Sequence, residues 1–199
     1  MNPEIILASA SSRRKNLLEK IGLEFAVHPS GLDEDGITAE APGDLTVKLS
    51  RKKARTVAEK YERGLFIGAD TVVANNGEIL GKPGSTAEAQ ELLEFLRGSS
   101  HRVITGLCLI NKTEDGIDIR EDYDVTGVKM RDYRQEELEG YVSSKEPLGK
   151  AGAYAIQGLG SLLVQRIEGS YFTVVGLPVH LLGEMLHEFG VDILGNRAF

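Results

Sequence analysis

The chain has 199 residues, 41% of them hydrophobic and 27% charged, with a formal net charge of −7 and a single cysteine. That length supports a substantial core in one large domain or two small lobes, and the balance is that of neither a disordered nor a fibrous protein. The acidic surplus argues against a protein that holds nucleic acid on a broad basic surface, the lone Cys108 excludes an internal disulfide, and no apolar run approaches the roughly 20 residues of a membrane helix.

Residues 4–7, EIIL, read as a short strand. Ser11 or Ser12 then caps a helix to about Lys20, with Leu17, Leu18 and Ile21 on its apolar face, and Gly22 ends it. The basic residues follow the apolar stretch, the wrong order for a secretory signal, so the expected setting is cytoplasmic. Residues 23–27 return as a strand, and 28–43 form a polar loop containing Gly and Pro. Asp44 caps a second helix to about Tyr61, with Val47, Ala54, Val57, Ala58 and Tyr61 at helical spacing. Residues 65–74 form a strand, Asn75-Asn76-Gly77 turns, and 78–80 pairs back. Ser85 and Glu88 make a capping box for a helix over 86–97, where Ala89, Leu92, Leu93 and Leu96 form an apolar stripe. Two long strands, 101–111 and 117–129, precede a short helix at 134–142. Residues 145–160 are glycine-rich and aperiodic, 161–168 alternate like a strand, and a last helix runs from about Pro178 to Phe189. The strands are too long and hairpin-like for a purely parallel sheet, which predicts a mixed α/β protein.

Four polar clusters stand where packing alone does not call for them. Ser9-Ala10-Ser11-Ser12-Arg13-Arg14-Lys15 follows a strand and opens a helix, a place where free backbone N–H groups attract anions. Two arginines there oppose the helix dipole and suggest a negative neighbour; a solvated helix start fits the same residues. Lys48, Arg51, Lys52 and Arg55 share one helix face, ordinarily a solvated one, while Lys53 points toward the Leu49/Ser50 side and the apolar stripe. In IGADTVV, Asp70 lies inside an apolar strand, costly unless paired, hydrogen-bonded or metal-bound. It could bind a divalent cation or act as a base toward water, and Lys82, held in Gly-Lys-Pro, could meet phosphate; a structural Asp70–Lys82 pair across the hairpin is the plain alternative. In Gly149–Gly160, the glycines admit close backbone approach and the Gln157 amide can read a nucleobase edge, or simply face solvent. Asp33, Glu34 and Asp35 form an acidic loop tip that could supply a Mg²⁺ ligand. The four histidines show no metal spacing, and no Ser-His-Asp or Cys-His arrangement stands out. Cations from separate segments together with carboxylates suit a polyphosphate site.

ILASASSRR at 6–14, LDE at 32–34, RKKA at 51–54, GADTVV at 68–73, GKP at 81–83, KAGAYAIQGLG at 150–160 and GSYFTVVGLP at 169–178 resemble, in order and over nearly the whole chain, the Maf family of nucleoside triphosphate pyrophosphatases. Ser12 stands where that family most often has proline, which alters the helix start and not the basic side chains. The resemblance implies a single domain over 1–199. Its fold is α/β, a long twisted mixed sheet flanked by helices in two lobes with a central cleft, like the inosine triphosphate pyrophosphatases. It implies cleavage of a nucleoside triphosphate between the α- and β-phosphates, with Mg²⁺ or Mn²⁺ as cofactor. Asp70 would activate water and help hold the metal, Glu34 would be the second metal carboxylate, and Arg13, Arg14, Lys53 and Lys82 would hold phosphates, with Ser9 nearby. Thr71 and Gln157, with Arg13, are similar to the subgroup acting on dTTP and UTP rather than on methylated guanine nucleotides. The resemblance and the strand lengths together imply a homodimer. The competing reading is a nucleotide-binding regulator of cell division and septum formation. One tension remains at this level: Asp70 and Thr71 should point to opposite faces of a regular strand.

Overall fold

The computed structural model describes residues 3–195. Its elements run β1 (Ile5–Leu7), α1 (Ser12–Lys20), β2 (Ala26–Val27), α2 (Pro42–Ala58), β3 (Gly64–Asn75), β4 (Glu78–Leu80), α3 (Thr86–Leu96), β5 (Ser100–Thr113), β6 (Gly116–Met130), α4 (Gln135–Ser143), two 3-10 turns at Ala151–Ala153 and Gly158–Leu163, β7 (Val164–Glu168), α5 (Tyr171–Val175) and α6 (Val179–Glu188). The seven strands form one mixed sheet in the order β2-β1-β3-β5-β6-β7, with β4 paired to β3. β1 lies parallel to both β2 and β3, while β3–β4 and β6–β7 are antiparallel. The expected α/β class, with a mixed sheet flanked by helices, is the one observed.

Several boundaries differ from the sequence reading. α2 starts three residues early because Pro42 takes the first helical position after an extended Ala41, where its fixed φ suits the helix and its missing N–H costs nothing. Asp44 therefore sits in the first turn and not at the cap. The same helix stops at Ala58, short of Tyr61. Only Ala26–Val27 of the 23–27 segment pair as a strand, and residues 161–163 belong to a 3-10 turn. The short helix α5 had no expectation at all.

The chain divides into two compact units. One comprises the residues up to Asp70, Thr105–Asp124 and Gly176 onward, and the other comprises Thr71–Ile104 and Val125–Val175. In the first, Ile6, Ala8, Ala54, Val57, Ala58, Phe66, Cys108 and Ile110 form a core between the sheet and α2. Burial pushes the Cys108 thiol up to about 12, so it is an inert core residue. In the second, α3 and α4 pack Leu93, Leu96, Leu138 and Tyr141 with Val73, Val103, Val128 and Met130 of the sheet.

The feature that places the site is the crossing of α2 over β3 and β5. At Gly68 of β3, a Cβ would lie 2.1 Å from the Ser50 carbonyl oxygen and 2.9 Å from the Ala54 nitrogen. At Gly106 of β5, it would lie 2.4 Å from the Thr46 carbonyl carbon. Any side chain at either position would push the helix off the sheet. The close approach anticipated at Gly68 is thus made by helix backbone.

Candidate active site

Asp70 lies two residues beyond Gly68 in β3, so both face the same side of the strand, the side covered by α2. Lys53 belongs to the Ser50–Ala54 stretch that lies directly on Gly68. The close crossing brings Lys53 Nζ to 2.6 Å from Asp70 Oδ1. Glu34 reaches the same ammonium from the polar loop, its Oε1 also 2.6 Å from Lys53 Nζ. Asp70 is 4% exposed and Lys53 8%, so each charge depends on the other for compensation. The direction read for Lys53 from helical spacing is correct, and Asp70 is tolerated in an apolar strand because a lysine from α2 answers it.

Arg14 completes this cluster. Ser11 caps α1, its hydroxyl accepting the Arg14 N–H at 3.4 Å, which fixes the first turn. Arg14 Nε donates to the Gly176 carbonyl at 2.8 Å and Nη1 to Ser9 Oγ at 3.2 Å, while Ser9 Oγ also accepts the Ser11 N–H at 3.2 Å. Burial pushes the Arg14 pKa down and Asp70 opposes that; Arg13 adds to the lowering and Glu34 to the opposition. Guanidinium remains protonated at any working pH, so the half-buried Arg14 is a fixed positive charge in the field of both carboxylates. Ser9, Arg14, Glu34, Lys53 and Asp70 thus converge within the first unit, with Arg13 beside them in α1.

Among the described residues, no group of three or more His, Cys, Asp or Glu could hold a metal ion. Glu34 and Asp70 nonetheless both contact one cation, the Lys53 ammonium. Two carboxylates, with phosphate oxygens and water filling the remaining positions, is a common way to hold Mg²⁺, so this donor pair fits a divalent cation.

Three expected residues belong to the second unit. Thr71 is half-buried in β3, which runs unbroken through Asp70 and Thr71, so their side chains leave on opposite faces. Lys82 is exposed in the segment after β4. The carbonyls on either side of it, of Gly81 and Pro83, accept the N–H groups of Gly152 and Gly149, each at 3.1 Å. The lysine segment is thereby stitched to the glycine-rich loop that carries Gln157, which is half-buried and extended just ahead of the second 3-10 turn.

A comparison with known families matches residues 4–189 to the family described as Maf-like protein. The chain belongs to that family. Similar relatives named dTTP/UTP pyrophosphatase occur in Lachnoclostridium phytofermentans, 42% identical over 96% of this chain and 98% of the relative, and in Symbiobacterium thermophilum, 41% identical over 98% of each. Another, in Bacillus cereus, is 43% identical over 96% of this chain and 97% of the relative.

In this Maf-like protein three of the four residues on the basic face of α2 have partners within the chain. Lys48 Nζ donates to the Thr38 carbonyl at 2.8 Å, Arg51 holds Glu121, and Arg55 Nε is 3.4 Å from Glu59. No described helix is long and apolar enough to cross a membrane. The sequence reading missed two contributors. One is the Gly176 carbonyl that orients Arg14; the only signal was its place in the GSYFTVVGLP motif. The other is Glu146, an acidic residue at the start of the glycine-rich stretch, whose carboxylate binds backbone further along it.

Proposed function

We propose that this Maf-like protein hydrolyses nucleoside triphosphates, dTTP and UTP among them, to the monophosphate and pyrophosphate. The observation that carries the reading is the Lys53 ammonium, 2.6 Å from both Glu34 and Asp70. An incoming triphosphate offers Lys53 phosphate oxygens in exchange for carboxylates. With Lys53 turned to the phosphates, Glu34 and Asp70 would be the residues to hold a Mg²⁺ or Mn²⁺ ion. That ion would neutralise phosphate charge and lower the pKa of water. Asp70 accepts the proton of the water that breaks the α–β anhydride. Arg13, Arg14 and Lys82 stabilise the negative charge that gathers on the leaving pyrophosphate. Ser9 keeps the Arg14 guanidinium aimed. Gln157 is assigned to the base and Thr71, which leaves β3 on the face opposite Asp70, to an indirect part in the same selection; the names of the relatives support the pyrimidine substrates.

The same proposal includes a cytoplasmic setting, in keeping with a single buried thiol, and a homodimer. The dimer is supported by β6, whose pairing with β7 covers only Gly127–Met130 and whose Ile117 and Ile119 stand 59% and 39% exposed.

The test is pyrophosphate release from a panel of nucleoside triphosphates with Mg²⁺ or Mn²⁺, comparing wild type with Asp70→Asn. Release from dTTP and UTP is expected to need the metal and to fall at least about 100-fold in the variant. Release mainly from purine substrates would overturn the pyrimidine assignment. A folded protein that releases none from any nucleotide would sink the enzyme reading.

A further inference from the structure

Gln157 is flanked by irregular chain, yet its neighbours are held by one compact set of hydrogen bonds. Glu146 Oε2 accepts the N–H of Leu159 at 3.1 Å, and Oε1 accepts that of Gly160 at 3.0 Å. Tyr141 Oη donates to Glu146 Oε1 at 3.1 Å and accepts the N–H of Ala155 at 3.2 Å. Backbone on both sides of Gln157 is therefore tied to a single tyrosine–glutamate pair. Tyr141 is itself buried on α4 in the core of the second unit, which gives the pair a rigid base. Lys150 Nζ closes the arrangement by donating to the Glu146 carbonyl oxygen.

Gly158 is shaped to this contact. Its φ is +76°, and a Cβ there would lie 2.7 Å from Glu146 Oε2. The residue after Gln157 thus has to be glycine for the carboxylate to come so close. A carboxylate is also the right group chemically. Backbone N–H groups in an irregular segment need acceptors, and a carboxylate offers two acceptor oxygens where a side-chain amide offers one. Burial alone would push the Glu146 carboxyl up. The N–H groups of Gly160 and Leu159, the Tyr141 hydroxyl and Lys150 outweigh that and hold it below the usual carboxylate range. None of these bonds uses the Gln157 side chain, so the anchoring leaves its amide to a ligand.

We propose that Glu146, acting with Tyr141, is a positioning residue for substrate selection, fixing the Ala155–Gly160 loop so that the Gln157 amide meets the nucleobase in one register. The inference rests on the reading that Gln157 contacts the base. An amide discriminates between bases only when its donor and its acceptor each face the right partner, so a loop that wanders loses selectivity before it loses binding.

The experiment measures kcat and KM on UTP, dTTP, CTP and GTP, with melting temperatures, for Glu146→Gln, Tyr141→Phe, Gln157→Ala and the Glu146→Gln/Gln157→Ala double variant. Glu146→Gln is expected to raise KM for UTP and dTTP about tenfold, more than it lowers kcat, and to narrow the preference over CTP and GTP. Tyr141→Phe should move the same quantities in the same direction, and it carries the test if Glu146→Gln does not fold. The double variant should be no less selective than Gln157→Ala alone, because both changes act through one amide. Selectivity lost in Gln157→Ala but intact in a folded Glu146→Gln would overturn this inference while leaving the base-contact reading standing. Equal loss of kcat on all four substrates with a lower melting temperature would mark Glu146 as merely structural. Unchanged selectivity in Gln157→Ala would overturn the base-contact reading itself, and the positioning role with it.

Discussion

His101, on β5, is 4% exposed, with Nε2 2.7 Å from Tyr154 Oη and Nδ1 without a hydrogen-bond partner among the described residues. Burial pushes its pKa from 6.5 down to about 4. The unfolded chain takes up a proton as pH falls through 6.5, and the folded protein does not until about pH 4. The histidine's contribution to stability is therefore complete above pH 6.5 and is lost progressively below it, by about 3 kcal/mol at pH 4. Urea unfolding of wild type and His101→Gln between pH 7 and pH 4.5 checks this. The stability gap between the two should shift in the variant's favour as the solution is acidified, and a gap that does not vary with pH would refute it. At this scale the sequence was most legible where direction and cost could be reasoned. Helical spacing aimed Lys53 inward, and the burial cost of Asp70 demanded a partner. That the two meet each other was not legible, since the contact depends on how closely a helix crosses a strand.

The crossing of α2 is a matter of elements. Gly68 and Gly106 are notches that let the helix backbone sit on β3 and β5, and the Lys53–Asp70 contact exists only at that separation. Gly68→Ala should cost about 3 kcal/mol or more, because the new methyl meets backbone that cannot rotate away. It should also reduce pyrophosphate release by carrying Lys53 away from Asp70. Thermal unfolding and turnover of the variant test both, and a melting temperature equal to wild type would show the notch to be dispensable. Elements with strong periodicity were readable, as the buried Ala89, Leu93 and Leu96 of α3 illustrate. Those fixed by tertiary contact were not. The helix YFTVV is five residues of aromatic and β-branched side chains without helical pattern, held by the burial of Thr173 and Val175. The start of α2 was misread because a proline at the first position outranked an aspartate two residues on.

For the molecule as a whole, composition and alternation led to a mixed sheet, but strand order was beyond them, because β1 pairs with β3 across the whole of α1 and α2. For the proposed dimer, light scattering should give a mass twice the chain's 21.6 kDa, and Ile119→Lys should halve it by placing a charge on the open stretch of β6. A monomeric wild type at tens of micromolar would end that proposal. The chain passes between its two compact units four times, after Asp70, Ile104, Asp124 and Val175. Neither unit corresponds to an uninterrupted stretch of coding sequence. A single recombination event can therefore neither graft one of them onto another protein nor delete it cleanly.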